Sequence, residues 1–512
     1  MTRLLKGAAL FGGVVAVVWI AVLWRWESTA RTIGLSDIVV YLGALPLVVC
    51  AVLVGFAWAW QAAQQQQTAP ATANGAAGAV VAPGATAREE QQRHSVVQLL
   101  AAHVACAAGD TVAGLLTAAA EGKPRPDAAT DLRDAEGIAV MCARIKEVSV
   151  DEVAEALEPI AVGLRKQRPE WADAGVGDHV HRALAVLGEP LRHALQDLQP
   201  WAALLGGVMP DYAGHVAARP QSPASPALLR VVVGWPVSWN EFERELATGW
   251  ARAHCAEHSD LPPTRVALTV QAASGPELWL HAEQLLQTVE REGRDDLVLV
   301  AACHSDISEP AIQGLEDALR LYSASRQQKG VIPGEAAAAL LLAHGAWPAD
   351  PESEAAPVRL HRAALLRRDK SVEAGGRMGS QCVQEALTHA LAASRLPAEA
   401  IGALVCDADQ HTGRSTELFG ATAHALPLLE PEDDMALTGT VTGHVGAVDA
   451  LLVIAAAAQR ARDDDKPCLA LALGDPFMRL AVVVRPELPT DLASPTPPEP
   501  GPRPSTRTQP HT

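Results

Sequence analysis

Gly293-Arg294-Asp295-Asp296-Leu297-Val298-Leu299-Val300-Ala301-Ala302 is a charged turn that runs directly into six apolar residues. A short, fully apolar run opened by such a turn suits a strand covered on both faces, as at the centre of a parallel sheet. The neighbouring segments alternate in the same register of lengths. Leu229 to Trp235, Arg265 to Val270, Ala336 to Ala343, Leu360 to Leu366, Leu404 to Asp407, Leu469 to Leu473 and Arg479 to Val484 read as strands. Asn240 to His258, opened by the capping-type Ser238 or Asn240, and Glu277 to Glu292 read as helices. Strand–helix alternation from residue 228 to 485 predicts an α/β domain with mostly parallel sheets.

Upstream of that domain lies a Pro/Ser-rich break, Ala217 to Ala227. Before the break, residues 88–216 read as a separate, helix-rich α/β domain. Ser95 to Ala120, Val150 to Arg168 and His179 to Leu198 are its expected helices, and Gly137 to Ala143 a candidate strand. In Val150 to Leu157 apolar residues recur three or four apart and acids occupy the first turn, as an amphipathic helix requires. His103, His179, His181 and His193 read as ordinary surface or capping residues. Residues 61–87 are Gln, Ala, Gly and Thr with Pro70 and Pro83, a composition that cannot bury a core and suits a flexible tether. Residues 486–512 hold nine prolines and read as a disordered tail.

Two uncharged apolar stretches precede the tether, Gly7 to Trp24 and Ile38 to Trp60. At about 1.5 Å of rise per residue each can cross roughly 30 Å of hydrocarbon. Trp19, Trp24, Trp26, Trp58 and Trp60 crowd their ends, as interfacial residues do. Residues 1–60 are therefore expected to form a transmembrane hairpin in a bacterial inner membrane, with the soluble part in the cytoplasm. A cleaved signal peptide over the first stretch is the competing reading, and the second stretch following at once argues for the anchor.

The chain has 41 Lys plus Arg against 59 Asp plus Glu. An acidic balance of this size repels phosphate backbones and argues against nucleic-acid binding. Eight scattered cysteines without a C-x-x-C pair fit reduced thiols rather than a disulfide framework or a zinc site. Composition and spacing give no reason to expect a metal or a cofactor.

Four stretches carry a family resemblance, in the family's order and at roughly its spacing. They are Gln271-Ala272-Ala273-Ser274-Gly275, Val331 to Ala338, Val405 to Thr416, and Thr442-Gly443-His444-Val445-Gly446-Ala447. Together with Gly293 to Ala302 they resemble the scaffold of the β-ketoacyl synthases. The resemblance covers about residues 228–485 and implies a thiolase-like, layered α-β-α-β-α domain. The family's nucleophile is a cysteine at a helix N-terminus, where its pKa falls. By the resemblance, Ala272 stands in its place, Asp409 in that of the first histidine, and His444 in that of the second. A methyl group cannot attack a thioester, and a carboxylate opposes a developing oxyanion. These three are thus positions of a degenerate site, and no catalytic residue is assigned.

The resemblance points to a protein that binds rather than converts. The whole layout is also similar to the lipase-adapter family of bacterial type VI secretion. That similarity implies a membrane-anchored, non-catalytic adapter or chaperone, with a lipase-type effector and a secretion spike protein as partners. The alternative is a divergent membrane-bound acyl-condensing enzyme, with Cys303 or Cys406 as nucleophile and His444 as base or oxyanion donor, or a non-catalytic partner subunit of an active synthase. Because thiolase-type domains usually dimerise, a homodimer stays open.

Overall fold

The computed structural model describes residues 94–202, 204–206, 227–347, 358–374 and 379–486. The hairpin expected at 1–60, the tether at 61–87 and the tail beyond Pro486 lie outside the described residues. Among the described residues no helix is long and apolar enough to cross a membrane.

The chain opens with β1 (Val96–Cys106), α1 (Val112–Glu121) and a small antiparallel ribbon, β2 (Asp127–Arg133) with β3 (Ala139–Cys142). Two long helices follow, α2 (Asp151–Gln167) and α3 (Asp178–Gln196). Next come β4 (Leu229–Trp235), α4 (Glu241–His258), β5 (Val266–Ala272), α5 (Gly275–Arg291), β6 (Leu297–Ser305), α6 (Glu309–Asp317) and β7 (Glu335–His344). The remainder is β8 (Val358–His361), β9 (Ala364–Arg367), α7 (Gln381–Ser394), β10 (Ala403–Cys406), α8 (Thr412–Ala425), β11 (Met435–Leu437), α9 (Gly439–Thr442), α10 (Asp449–Asp464), β12 (Cys468–Ala472) and β13 (Met478–Pro486).

The main strands lie in the order β11-β10-β12-β13-β8-β1-β7-β6-β4-β5, with β9 pairing on β13. This order contains a repeat. Taken in chain order, β1, β4, β5, β6 and β7 stand in space as third, second, fourth, fifth, first. The series β8, β10, β11, β12 and β13 does the same. The strand directions match as well. The second strand of each set is parallel to the third and fourth, and the fifth is antiparallel to the fourth and to the first. The two first strands pair antiparallel, from Val96 opposite His361 to Leu99 opposite Val358, and so join the halves.

This corrects three expectations. The sheet is mixed rather than mostly parallel. Ser95 to Ala120 is not one helix, because its first part is β1, hydrogen-bonded to β7 on one side and β8 on the other. Residues 88–216 are not a separate domain, since β1 is the first strand of the first half. The helices after it form a long connection between that half's first and second strands.

Three apolar clusters mark the layers. In the middle, α5 and α10 pack against both halves around Leu278, Trp279, Leu452, Ile454, Leu340 and Val482. Outside the first half, α2, α3 and α4 cover Val231, Val233, Leu299 and Leu341. Outside the second, α7 and α8 cover Leu404, Leu469 and Val483. The series is α-β-α-β-α. Small residues set the spacing at the centre: Ala455 to Ala458 on α10 and Ala336 and Ala338 on β7 are buried there. A larger side chain there would overpack at a cost of about 1–3 kcal/mol.

Candidate functional site

The N-termini of α5 and α10 meet at the centre of the molecule. A Cβ on Gly275, the first residue of α5, would lie 2.7 Å from the Ala447 carbonyl oxygen, so only glycine allows this approach. The strand before α5 ends at Ala272, which is exposed, and the cap of α5 is Ser274. The helix therefore starts at Gly275, beyond Ala272 and two residues before the expected Glu277. Ser274 donates its N–H (3.1 Å) and its hydroxyl (3.0 Å) to Glu277 Oε2, a reciprocal cap that occupies the hydroxyl proton. No imidazole is among its hydrogen-bond partners.

Asp409 follows β10 and is locked into the framework. Its Oδ1 accepts the His411 N–H at 3.0 Å, and its Oδ2 accepts Arg414 Nη1 at 2.6 Å. Arg414 is almost fully buried and also donates to the Gly474 carbonyl at 2.9 Å. Beside it, Asp407 accepts the Leu473 and Gly474 N–H groups at 2.6 and 2.9 Å. Asp449, at the start of α10, completes the cluster. A Cβ on Gly474 would fall 2.4 Å from Asp449 Oδ2 and 2.9 Å from Asp407 Oδ2. Burial pushes the Asp407 carboxyl up despite those two N–H donors, and burial plus the neighbouring Asp407 charge pushes Asp449 well up. His411 accepts the Gly413 N–H on Nδ1 at 3.0 Å, and burial, with Arg414 nearby, holds its pKa down. Asp409 and His411 thus both cap local backbone N–H groups, and Asp409 also pairs with Arg414.

His444 belongs to a different group. It sits in the loop between α9 and α10, and its Nδ1 lies 3.0 Å from Asp306 Oδ2. His304 Nε2 lies 3.0 Å from the same oxygen, and the two imidazoles meet edge to face at 5.2 Å. His304 and Asp306 come from the end of β6, two residues apart and so on one face of the strand. Gly443 and Gly446 have positive φ, +64° and +53°, as the tight loop demands. A Cβ on Gly446 would stand 2.7 Å from His304 Nδ1. Burial works to raise the Asp306 carboxyl, but the charge and hydrogen bonds of the two imidazoles outweigh it and hold the pKa low. Burial likewise lowers His444 against the opposing pull of Asp306. His179, expected to be an ordinary surface or capping residue, is mostly buried. It stands 3.5 Å from Glu243 and close enough to Asp306 and His304 to feel both. His304 and Asp306 escaped notice as site residues because only the fold brings them to His444. The signal in the sequence was the His-x-Asp spacing at a strand end.

All seven cysteines among the described residues are free, and only Cys382 is not fully buried. Burial pushes the Cys303 and Cys406 thiols far up, so neither is a thiolate near neutral pH. A cavity of about 930 Å³ lies elsewhere, between α2, α3 and α4, with His193, Trp250 and His254 among its walls. None of Ser274, Asp409 or His444 lines it.

No family model and no curated sequence matches the chain. Solved structures do resemble it. One is a ketosynthase of a type II polyketide synthase (AntDE), solved with its acyl-carrier protein (AntF). It has a TM-score of 0.51 and 12% identity over 77% of this chain and 100% of that one. Another is an oxazolomycin ketosynthase domain of Streptomyces albus JA3453, with a TM-score of 0.50 and 13% identity over 77% of this chain and 76% of that one. A ketosynthase solved with its chain length factor from Xenorhabdus doucetiae has a TM-score of 0.46 and 11% identity over 77% and 98%. The first two establish the class of fold, which is mixed α/β and thiolase-like.

Proposed function

We propose that this chain is a non-catalytic protein on the ketosynthase scaffold, which acts by binding a protein partner. The observation that carries the reading is the capped N-terminus of α5. There Ala272 offers only a methyl group and the next polar side chain, Ser274, is hydrogen-bonded to Glu277, whereas an acyl-transferring enzyme on this scaffold needs an activated thiol. The buried, high-pKa Cys303 and Cys406 and the ion-paired Asp409 support it, since neither a relocated nucleophile nor the family's first histidine is available.

A ketosynthase of the same fold is solved with an acyl-carrier protein. The favoured partner is accordingly a carrier protein or a catalytically active synthase subunit. The second reading is a membrane-anchored adapter that loads a lipase-type effector onto a type VI secretion spike. What favours it is the pair of apolar stretches at Gly7–Trp24 and Ile38–Trp60, which a soluble synthase subunit does not need.

Crosslinking the full chain in its native cells, followed by affinity capture and mass spectrometry, separates the two. Carrier protein or synthase among the crosslinked peptides supports the first reading. A lipase or spike protein in their place supports the second. Purified chain that takes up an acyl group from an acyl thioester would overturn the non-catalytic assignment.

A further inference from the structure

We propose that His304 Nε2, Asp306 Oδ2 and His444 Nδ1 form a binding site for one divalent transition-metal ion of the zinc type. The three ligand atoms all lie within 4.8 Å of one another. Two imidazole nitrogens and one carboxylate oxygen are a donor set that suits zinc and neighbouring first-row ions. At about 2.0–2.2 Å from a tetrahedral ion, ligand atoms stand roughly 3.3–3.5 Å apart. Asp306 Oδ2 is now 3.0 Å from both nitrogens, so each gap has to open by only a few tenths of an ångström.

Independent support comes from His304. Its side chain is 8% exposed; Nε2 lies 3.0 Å from Asp306 Oδ2, and Nδ1 has no hydrogen-bond partner among the described residues. Both imidazoles share this one carboxylate oxygen, and a metal ion would give all three groups a common partner. The surroundings are shaped for the ring. Gly446 leaves the space that Nδ1 occupies, and the chain at His444 is fixed by pairing with Ile332 and Gly334. Other ionisable groups around the triad are His179 with its neighbour Glu243, and Arg320, which is paired with Glu373. The arrangement leaves a fourth coordination position for water or an exogenous ligand. It also joins β6 of the first half to a loop of the second, so the ion would clip the two halves together.

The test uses the full chain, purified without a polyhistidine tag, stripped with chelator and titrated with Zn2+ and with Co2+. The expected result is one ion per chain and a rise in the unfolding temperature. Affinity should fall at least about 100-fold in Asp306→Asn and in His444→Gln, because loss of even an outer-shell partner costs ~10–100-fold. Binding should also weaken in acid, as protons compete for the imidazoles. Less than one tightly bound ion, or binding undiminished in both variants, overturns the proposal. Should either variant fold poorly, the Co2+ spectrum of the unaltered chain decides. Tetrahedral ligand-field bands without thiolate charge transfer support the site, whereas a thiolate band assigns the ion to cysteine and refutes it.

Discussion

Asp409→Asn isolates a single buried charge. The change preserves shape and leaves an amide oxygen for the His411 N–H, but it takes from Arg414 the carboxylate that sits 2.6 Å away. Arg414 and Asp409 expose only 2% and 7% of their side chains, so water cannot replace the lost partner. Breaking a buried pair from one side costs about 3–5 kcal/mol. Two features favour the lower end of that range. The Gly474 carbonyl still accepts from Nη2, and Asp407 and Asp449 lie near enough to ionise in compensation. The expected loss is therefore about 3 kcal/mol, a large part of the ~5–15 kcal/mol that holds a typical domain together. Asp409→Ala should cost more, because it also orphans the His411 N–H, at about 1–3 kcal/mol. Removing both charges in Asp409→Asn with Arg414→Met should cost less than the two single changes combined, with a coupling of about 2 kcal/mol. Urea denaturation followed by tryptophan fluorescence measures all four proteins, provided the slope of the transition is unchanged. A loss below about 1 kcal/mol for Asp409→Asn, or strict additivity in the double variant, would refute a structural role for Asp409.

Glu283 is buried on α5, accepts the Ala363 N–H, and burial raises its pKa from 4.5 to about 7. An acid raised on folding leaves stability unchanged below about pH 4.5, lowers it as pH climbs to about 7, and leaves it flat above; the loss is about 3 kcal/mol. Glu283→Gln should abolish that slope, and an unaltered pH profile in the variant would count against it. Under native conditions iodoacetamide should label Cys382 alone among the seven described cysteines, with mass spectrometry as readout. Fast labelling at Cys303 or Cys406 would revive the enzyme reading. Gly446→Ala should lose about 1–2 kcal/mol from its positive φ, and should in addition displace His304, whose Nδ1 occupies the space of the new methyl. Zinc titration and thermal unfolding of this variant should therefore fail together, and wild-type zinc affinity would show that His304 does not need the space.

Which parts of the fold could be read from sequence depended on whether local chemistry or distant pairing decides them. β6 announces itself, because six apolar residues behind a charged turn have few other uses, and α2 and α3 follow from apolar spacing. β1 does not. Val96 to Cys106 contains Leu100-Ala101-Ala102, good helix formers, and becomes a strand only because β7 and β8 pair with it from both sides. Those partners lie more than 200 residues away, and no window of the sequence contains them. The same long-range pairing explains why Ala217 to Ala227 misled. In a repeat whose first strand arrives early, a Pro/Ser break in the sequence falls inside a half rather than between domains. In the first half the route from first to second strand runs from residue 107 to 228 and carries α1, α2, α3 and a β-ribbon. In the second it runs only from 362 to 402.

The site was harder to read for a related reason. Register decides chemistry at a strand–helix junction, where Ala272 is an exposed strand end and Ser274, two residues on, is the helix cap. Asp409 follows β10, and its partner Arg414 is a side chain whose charge the local motif gives no reason to consult. His444 was found by its glycines and its partners were not. His304 and Asp306 lie on the first half of the repeat, about 140 residues away, and reach His444 only because α5 and α10 bring the two halves face to face. Residues contributed by opposite halves of a repeat share neither a motif nor a helix face, so a composite site at that junction becomes visible only once the strand order is known.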